Sequence, residues 1–514
     1  VYEKTQNYEW VYARPHKPDR VRIYECHVGI CTEQEKCSSY NDFIKKIPYI
    51  AETGYNVIQL MGIMGHSYYA SFGYLVTNYF AVSSRFGPRS DFKRLVDTAH
   101  KYGLQVIIDL VHSHASADDV RGIARFDGTV HQYFHTKQHK TWTSMMFNYG
   151  IPEVQKFLLS NAAWFVKEYN VDGYRMDAVT TILYGDTLAD CRNYEDYYTY
   201  ANKDALMYLK MVNDVVKFTN PDSIMIAEEA SGIPLLVYET QRGGIGFDYR
   251  LHMGSSDMWV NKVSNERSYT VGSMIHELTN VRNEEKVITY LECHDNSIVG
   301  SKPVIMWLLN DLLYTQMAWC QPNFTVDCGI DQLNIFRALT IMTAKGGYLT
   351  FMGNEFGHPE WLTFHSEVNN TYKYCRRQWN LLFRNTDTMT NLNTDLKYRL
   401  MYIFEKRLLC LDKDYGVLNK NIDDVVIDDN RMTVCIKRGD ILGFFNLNCN
   451  DVEVSYSAHG AKNIKILLDN HDAVGRHGCL VQLNNNTVRV KLFRYSCVVC
   501  LVSYTTYYDG ATVI

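Results

Sequence analysis

The sequence predicts an α/β chain in two parts: a closed (β/α)8 barrel followed by an all-β antiparallel sandwich. Three observations carry that expectation. Eight short strand-like runs alternate with stretches of helical periodicity between residues 22 and 396. Beyond residue 396 the texture changes to brief alternating runs separated by Asn, Asp, Gly and Ser clusters, as in antiparallel strands joined by turns. At 514 residues the chain is too long for one ordinary domain and long enough to bury two cores.

Residues 1–21, with Pro15, Pro18 and many charges, read as an extended lead-in that packs on something else. The strand RIYECHV comes next, then Phe43, Ile44, Ile47, Ile50 and Ala51 at helical spacing, with Pro48 as an expected kink. Gly54 stops that helix before the strand NVIQL. Ser90 is the expected N-cap of a helix that buries Phe92, Leu95, Val96 and Ala99, and Gly103 ends it before QVIIDLV. Pro152 opens a helix that buries Val154, Phe157, Leu158 and Phe165 and leads to DGYRMD. Ala205, Tyr208, Leu209, Val212, Val215 and Val216 precede SIMIAEE; FDYR, KVITYLE and GGYLTFM complete the eight. Eight strands with helices between them are the count of a TIM-type barrel, and right-handed crossovers make closure economical. A doubly wound open sheet is the alternative, but no G-x-G-x-x-G follows the first strand. The expected layout is a lead-in at 1–21, the barrel at 22–396, a helical connector at 397–416 and the sandwich at 417–514. Six runs supply the sandwich: MTVCIKR, DILGFFNL, VEVSYS, NIKILLD, VRVKLF and SCVVCLV. No repeat or long linker intervenes, so the two parts are expected to be docked.

Composition narrows the partner. A net charge of -5, with 52 basic and 57 acidic residues intermixed, offers no basic stripe for nucleic acid and no polybasic patch for a membrane. No apolar run approaches a spanning length, and the N-terminal residues have neither the apolar core nor the cleavage site of a signal peptide. The expectation is a soluble, cytoplasmic monomer. Fourteen Cys lie mostly in apolar runs and are expected to be reduced thiols; Cys497 and Cys500, three apart in a strand, should point to opposite faces. Aromatic residues make up 13% of the chain, and flat faces with polar tips suit sugar rings.

The chemistry gathers where barrel strands end, since loops at the C-terminal rim of such barrels carry function. In VDGYRMDAVT, Arg175 and Asp177 are two apart and share a face. Alone, that is as well explained by a structural ion pair. Other strands end in Asp109 and His114, in Glu228 and Glu229, and in Glu292, His294 and Asp295. Carboxylates from three strands suit glycoside chemistry, in which an ionised Asp attacks the anomeric carbon and a Glu of raised pKa protonates the leaving oxygen. An Arg beside the nucleophile favours its charged form. The competing reading is a divalent ion held by His112, His114 and Asp295, for which further His ligands are sparse. Glu229 and Glu292 are expected to face outward, because neighbours along a strand alternate.

The segments DLVHSH, DGYRMDAV, IAEE and ECHDN, in this order, resemble the four short conserved regions of the α-amylase superfamily of retaining glycoside hydrolases and transferases. Within it the chain is similar to the eukaryotic-type 1,4-α-glucan (glycogen or starch) branching enzymes, through IYECHVGI, YYASFGY, MIAEEASG, GGIGFDYR and MGNEFGHPEW. The resemblance implies that Asp177 is the nucleophile, Glu228 the general acid/base and Asp295 the residue that holds sugar hydroxyls and stabilises the transition state. It implies that Tyr74 stacks on the sugar at the cleavage point, that His114 and His294 hydrogen-bond it, and that Asp109 supports from beside Arg175. Read from the residues alone, Tyr74 is a packing aromatic and Asp109 a structural carboxylate. It implies α-glucan donor and acceptor chains, no cofactor and no metal, and α-1,6 re-attachment after α-1,4 cleavage. Gly65, Asn296, Thr363 and His365 depart from the pattern on the acceptor side. The chain also begins in the stretch that follows the family's N-terminal carbohydrate-binding module, so that module is expected to be lacking. An amylase-like hydrolase and a non-catalytic glucan-binding protein are the alternative readings.

Overall fold

The computed structural model describes residues 8–139, 142–185, 193–265, 267–472 and 475–504. The first seven residues of the expected lead-in and the last ten of the expected sandwich lie outside the described residues. Eight parallel strands close into a barrel: β1 (Val21–His27), β2 (Val57–Met61), β3 (Gln105–Leu110), β4 (Gly173–Met176), β5 (Ile224–Ala227), β6 (Tyr249–Leu251), β7 (Val287–Tyr290) and β8 (Gly346–Phe351). They pair in sequence order, and β1 against β8 closes the ring, with Val21 opposite Gly347 and Glu25 opposite Phe351. An open sheet is thereby ruled out.

Side-chain parity sets what the barrel holds. Val21, Ile23, Val57, Ile107, Ile224, Ile226, Tyr249, Ile288 and Leu349 fill the interior as one apolar cluster. Along the same inward rows, one step further toward the strand ends, come Glu25, Gln59, Asp109 and Arg175. The apolar layers form the core and the polar layer above them floors the site. Where β4 begins, Gly173 has φ +139°, and a Cβ there would fall 2.0 Å from the Ile224 carbonyl oxygen, so only glycine permits the contact with β5.

Helices cover the barrel with the expected faces. Val154, Leu158 and Phe165 of Pro152–Glu168 and Tyr208, Leu209, Val212 and Val216 of Lys203–Thr219 are buried, while Phe157, expected inside, is only half-buried at the edge of its face. Two local expectations fail. The run after β1 is two helices, Tyr40–Ile44 and Ile47–Thr53, and Pro48 opens the second instead of kinking one; a proline's missing N–H costs nothing in a first turn. Ser90 does not cap its helix, which spans Arg89–Lys101 with Pro88 at the N-cap. The lead-in crosses the end of the barrel where the strands begin. The backbone of Val11 and Tyr12 donates to Asp97, Arg14 Nε donates to Asn170, and Lys17 pairs with Asp248 at 2.6 Å.

The helix Tyr398–Tyr415 leads to eight antiparallel strands: β9 (Asp424–Asp428), β10 (Thr433–Arg438), β11 (Ile441–Asn446), β12 (Val452–Ser457), β13 (Ala461–Asp469), β14 (Leu480–Asn484), β15 (Thr487–Leu492) and β16 (Ser496–Tyr504). They form a sheet in the order β9-β10-β11-β16-β13 and a second in the order β12-β15-β14. The sequence reading missed β9 and β14, two edge strands with few buried residues and hence weak apolar patterning. Between the sheets pack Leu442, Phe444, Val488, Val490, Val498 and Cys500; Cys497, three residues away on β16, joins the large core on the other side. The thirteen described cysteines are unpaired. Buried Arg438 ties this region to the barrel, its Nη1 donating to the carbonyls of Ile341, Met342 and Ala344 at the end of helix Phe324–Thr343.

Candidate active site

A cavity of about 380 Å³ opens at the C-terminal end of the barrel, and Tyr74, His114, Arg175, Asp177, Glu228, His294 and Asp295 line it. Asp109 lies just beneath, bonded to two of them. All eight residues singled out from the sequence therefore meet at one place.

Arg175 is the hub. β3 and β4 are in register so that Asp109 is the direct partner of Arg175. The guanidinium Nη1 donates to Asp109 Oδ2 at 3.0 Å and to Asp177 Oδ1 at 2.9 Å, while Nη2 lies 2.8 Å from Glu228 Oε2. One fully buried cation thus spaces the two carboxylates closest to the chemistry. Asp177, the first residue past β4, stays on the face of Arg175, as the two-residue spacing predicted. The next residue, Ala178, takes the left-handed conformation at φ +48°, and its N–H donates to Glu228 Oε2 at 2.8 Å. A non-glycine residue there is strained, and the strain buys a backbone donor aimed at Glu228.

Electrostatics divides the carboxyls. Burial pushes Glu228 up to about 7, with Arg175 pulling against it and the charges of Asp177 and Asp295 adding to the rise. Burial also raises Asp177, again opposed by Arg175, so the guanidinium favours the ionised form without winning outright. Asp295 goes the other way. Neighbouring His294 lowers it, and its side chain is 52% exposed at the mouth. A carboxyl that titrates near neutrality, set beside an Asp that touches a guanidinium and a second Asp held low, provides the acid and the charged groups that retaining glycosyl chemistry uses.

Tyr74 is anchored by its hydroxyl, which donates to Asp109 Oδ2 at 2.6 Å and lies 3.1 Å from His294 Nε2; its ring is stacked on the His294 ring, centroids 5.6 Å apart. Burial opposes a proton on His294, but Asp295 and Glu25 outweigh it and raise the imidazole to about 10. His114 is neutral, lowered by burial to about 4; its Nδ1 lies 2.8 Å from Ser113 Oγ and its ring packs at 5.0 Å from Trp142.

His112 overturns the metal reading built on it. It faces away from the cavity, with Nδ1 2.5 Å from the Tyr208 hydroxyl and Nε2 2.7 Å from Asn161 Oδ1, so it cannot join His114 and Asp295. Residue 110 ends the strand, and alternation does not carry past it. Glu229 pairs with Arg250 and Glu292 accepts the Val304 N–H, both outside the cavity lining. Asn296 is buried and accepts the Cys293 N–H at the N-terminus of the short helix His294–Ile298.

Sequence reasoning passed over Glu25 and Trp142. Glu25 accepts the backbone N–H of His294 at 2.9 Å and approaches its Nδ1 at 2.7 Å. The inward parity of Val21 and Ile23 on β1 was signal enough to find it. Trp142 lines the cavity from an irregular loop, where no periodicity marks it.

The model of the alpha-amylase catalytic domain matches residues 32–140 and 121–305. Named 1,4-alpha-glucan-branching enzymes include one from Solanum tuberosum, 42% identical over 88% of this chain and 53% of its own length, and one from Equus caballus, 39% identical over 95% and 70%. The chain thus spans about half of the potato relative. Among solved structures, an alpha-amylase from H. orenii superposes with TM-score 0.67 at 17% identity, covering 95% of this chain and 100% of its own, which speaks for the fold alone. With its barrel, its cavity and relatives of this closeness, the chain belongs to the 1,4-α-glucan-branching enzyme family, within the α-amylase group of catalytic domains.

Proposed function

We propose that the protein is a retaining α-glucan glycosyltransferase that cleaves α-1,4 linkages and re-attaches the released chain as an α-1,6 branch. The observation that carries the retaining chemistry is the single guanidinium of Arg175 holding both Asp177 and Glu228 at one rim, with Glu228 raised to about 7, and the choice of a glucan 6-hydroxyl over water rests on the likeness to named branching enzymes. Asp177 attacks the anomeric carbon while Glu228 protonates the departing oxygen, giving a β-linked glucosyl-enzyme. Glu228, now ionised, takes the proton of a glucan 6-hydroxyl, and that oxygen displaces Asp177 with a second inversion. Asp295 holds the hydroxyls of the reacting sugar, and His294, Tyr74 and His114 border the same ring. Asp109 keeps Arg175 and Tyr74 in place. Neutral glucan chains as donor and acceptor fit a surface with intermixed charge.

The same proposal divides the chain at 1–21, 22–396, 397–416 and 417–514 and takes the enzyme to act as a cytoplasmic monomer. The free thiols of the described cysteines favour a reducing compartment. Among the described residues no helix is long and apolar enough to cross a membrane. Incubation with linear amylose tests the function: debranchable α-1,6 points without a matching rise in reducing ends are expected. Reducing ends without branch points would make it a hydrolase, and glucan binding without turnover a binding protein.

A further inference from the structure

Below the cavity, a carboxylate oxygen of Glu25, the Cys293 sulfur and a ring nitrogen of His294 lie within 4.8 Å of one another, and all three residues are buried. Glu25 comes from β1; Cys293 is the N-cap, and His294 the first residue, of the short helix His294–Ile298 that follows β7. The carboxylate is steadied by Gln59, whose Nε2 donates to Oε1 at 3.1 Å and whose own Oε1 is buried without a protein partner. On the cavity side, Asp295 Oδ2 lies 3.7 Å from Cys293 Sγ, and Asp295 is half exposed at the mouth. The donor set is mixed: oxygen, sulfur and nitrogen, with a second carboxylate on the route in. Magnesium and calcium take oxygen ligands, whereas zinc takes thiolate, imidazole and carboxylate in one tetrahedral shell.

We propose that Glu25, Cys293 and His294 form a binding site for a thiophilic divalent cation of the zinc type, entered past Asp295, and that its occupation inhibits the enzyme. As the metal–sulfur and metal–nitrogen bonds form, the protons of the thiol and of the coordinating ring nitrogen leave to solvent. The Glu25 carboxylate turns from His294 to the metal. The imidazole then loses the partner that orients it toward Tyr74 and Asp295, and the reacting sugar loses its bed. The binding half stands on geometry alone; the inhibitory half rests on the glucan-transfer reading above.

Titration of the protein with Co²⁺ is expected to produce a thiolate-to-cobalt charge-transfer band that saturates at one equivalent and is displaced by Zn²⁺. Cys293→Ser, or Cys293→Ala if the first fails to fold by circular dichroism, is expected to abolish the band. Glu25→Gln is expected to weaken Co²⁺ binding by about tenfold or more. In parallel, Zn²⁺ is expected to stop glucan turnover reversibly, a chelator to restore it, and Cys293→Ser to keep its turnover in Zn²⁺ that silences the parent. Absence of the band, or a band unchanged in Cys293→Ser because exposed Cys320 or Cys449 holds the metal, overturns the site. A band without inhibition overturns the inhibitory half. Should no α-glucan be turned over at all, the functional reading fails while the cobalt spectrum still decides the site.

Discussion

Glu25 grips His294 twice, accepting its backbone N–H at 2.9 Å and lying 2.7 Å from its ring Nδ1. Both contacts converge on a residue whose other nitrogen faces Tyr74 and Asp295. Glu25→Gln keeps the shape but leaves no charge to hold the imidazolium. The expected result is a fall in kcat on amylose of roughly 10²-fold with a smaller change in KM, since a misaimed group near the reacting centre costs about that much. Steady-state kinetics with a thermal melt checks it; an unchanged kcat would show that the grip is only structural.

Asp177→Asn is expected to abolish turnover with the fold intact, because the amide is no nucleophile yet still faces Arg175. Glu228→Gln should cost about 10²–10⁴-fold, the range for loss of a general acid. Branch-point counting and circular dichroism on the two variants check this; full activity in Asp177→Asn would remove Asp177 from the mechanism.

The acidity of the site fixes the pH profile. Glu228 must carry a proton to start the reaction, and that proton is lost as pH rises through about 7. Asp177 must be ionised, and burial moves its titration above the usual aspartate range. kcat/KM should therefore fall on the alkaline side of about pH 7 and on an acid side displaced upward, as a bell whose two limbs belong to the coupled pair. Rate measurements from acid to alkaline pH check it; a rate still rising well above neutrality would contradict the assignment of Glu228 as the acid.

Arg438→Ala should separate stability from catalysis. Its Nη1 lies 3.3, 3.1 and 2.9 Å from three carbonyls at the end of helix Phe324–Thr343, and its Nε 2.9 Å from that of Lys420. Removing it strands buried acceptors, a loss of roughly 3 kcal/mol. Urea unfolding should show an earlier midpoint, while the kcat of the folded fraction stays the same.

Periodicity alone located the barrel strands, because buried parallel strands are nearly continuous apolar runs and the helices between them carry one apolar stripe each. Past a strand end parity held for one residue and then failed: Asp177, next after β4, kept the face of Arg175, but His112, two residues past β3, turned away toward Tyr208 and Asn161. The edge strands β9 and β14 escaped for the opposite reason, having too little buried surface to leave a pattern. Pairing across the sheet is not written along the chain, so Glu25 and His294, 269 residues apart, could be joined only in space.

The polar layer of Glu25, Gln59, Asp109 and Arg175 is rooted in paired strands, whereas Tyr68, Phe72, Trp142 and Val299 reach the cavity from loops and turns. The floor of the cavity and its walls thus come from different parts of the chain. Loops of this kind can change without asking the barrel to fold anew.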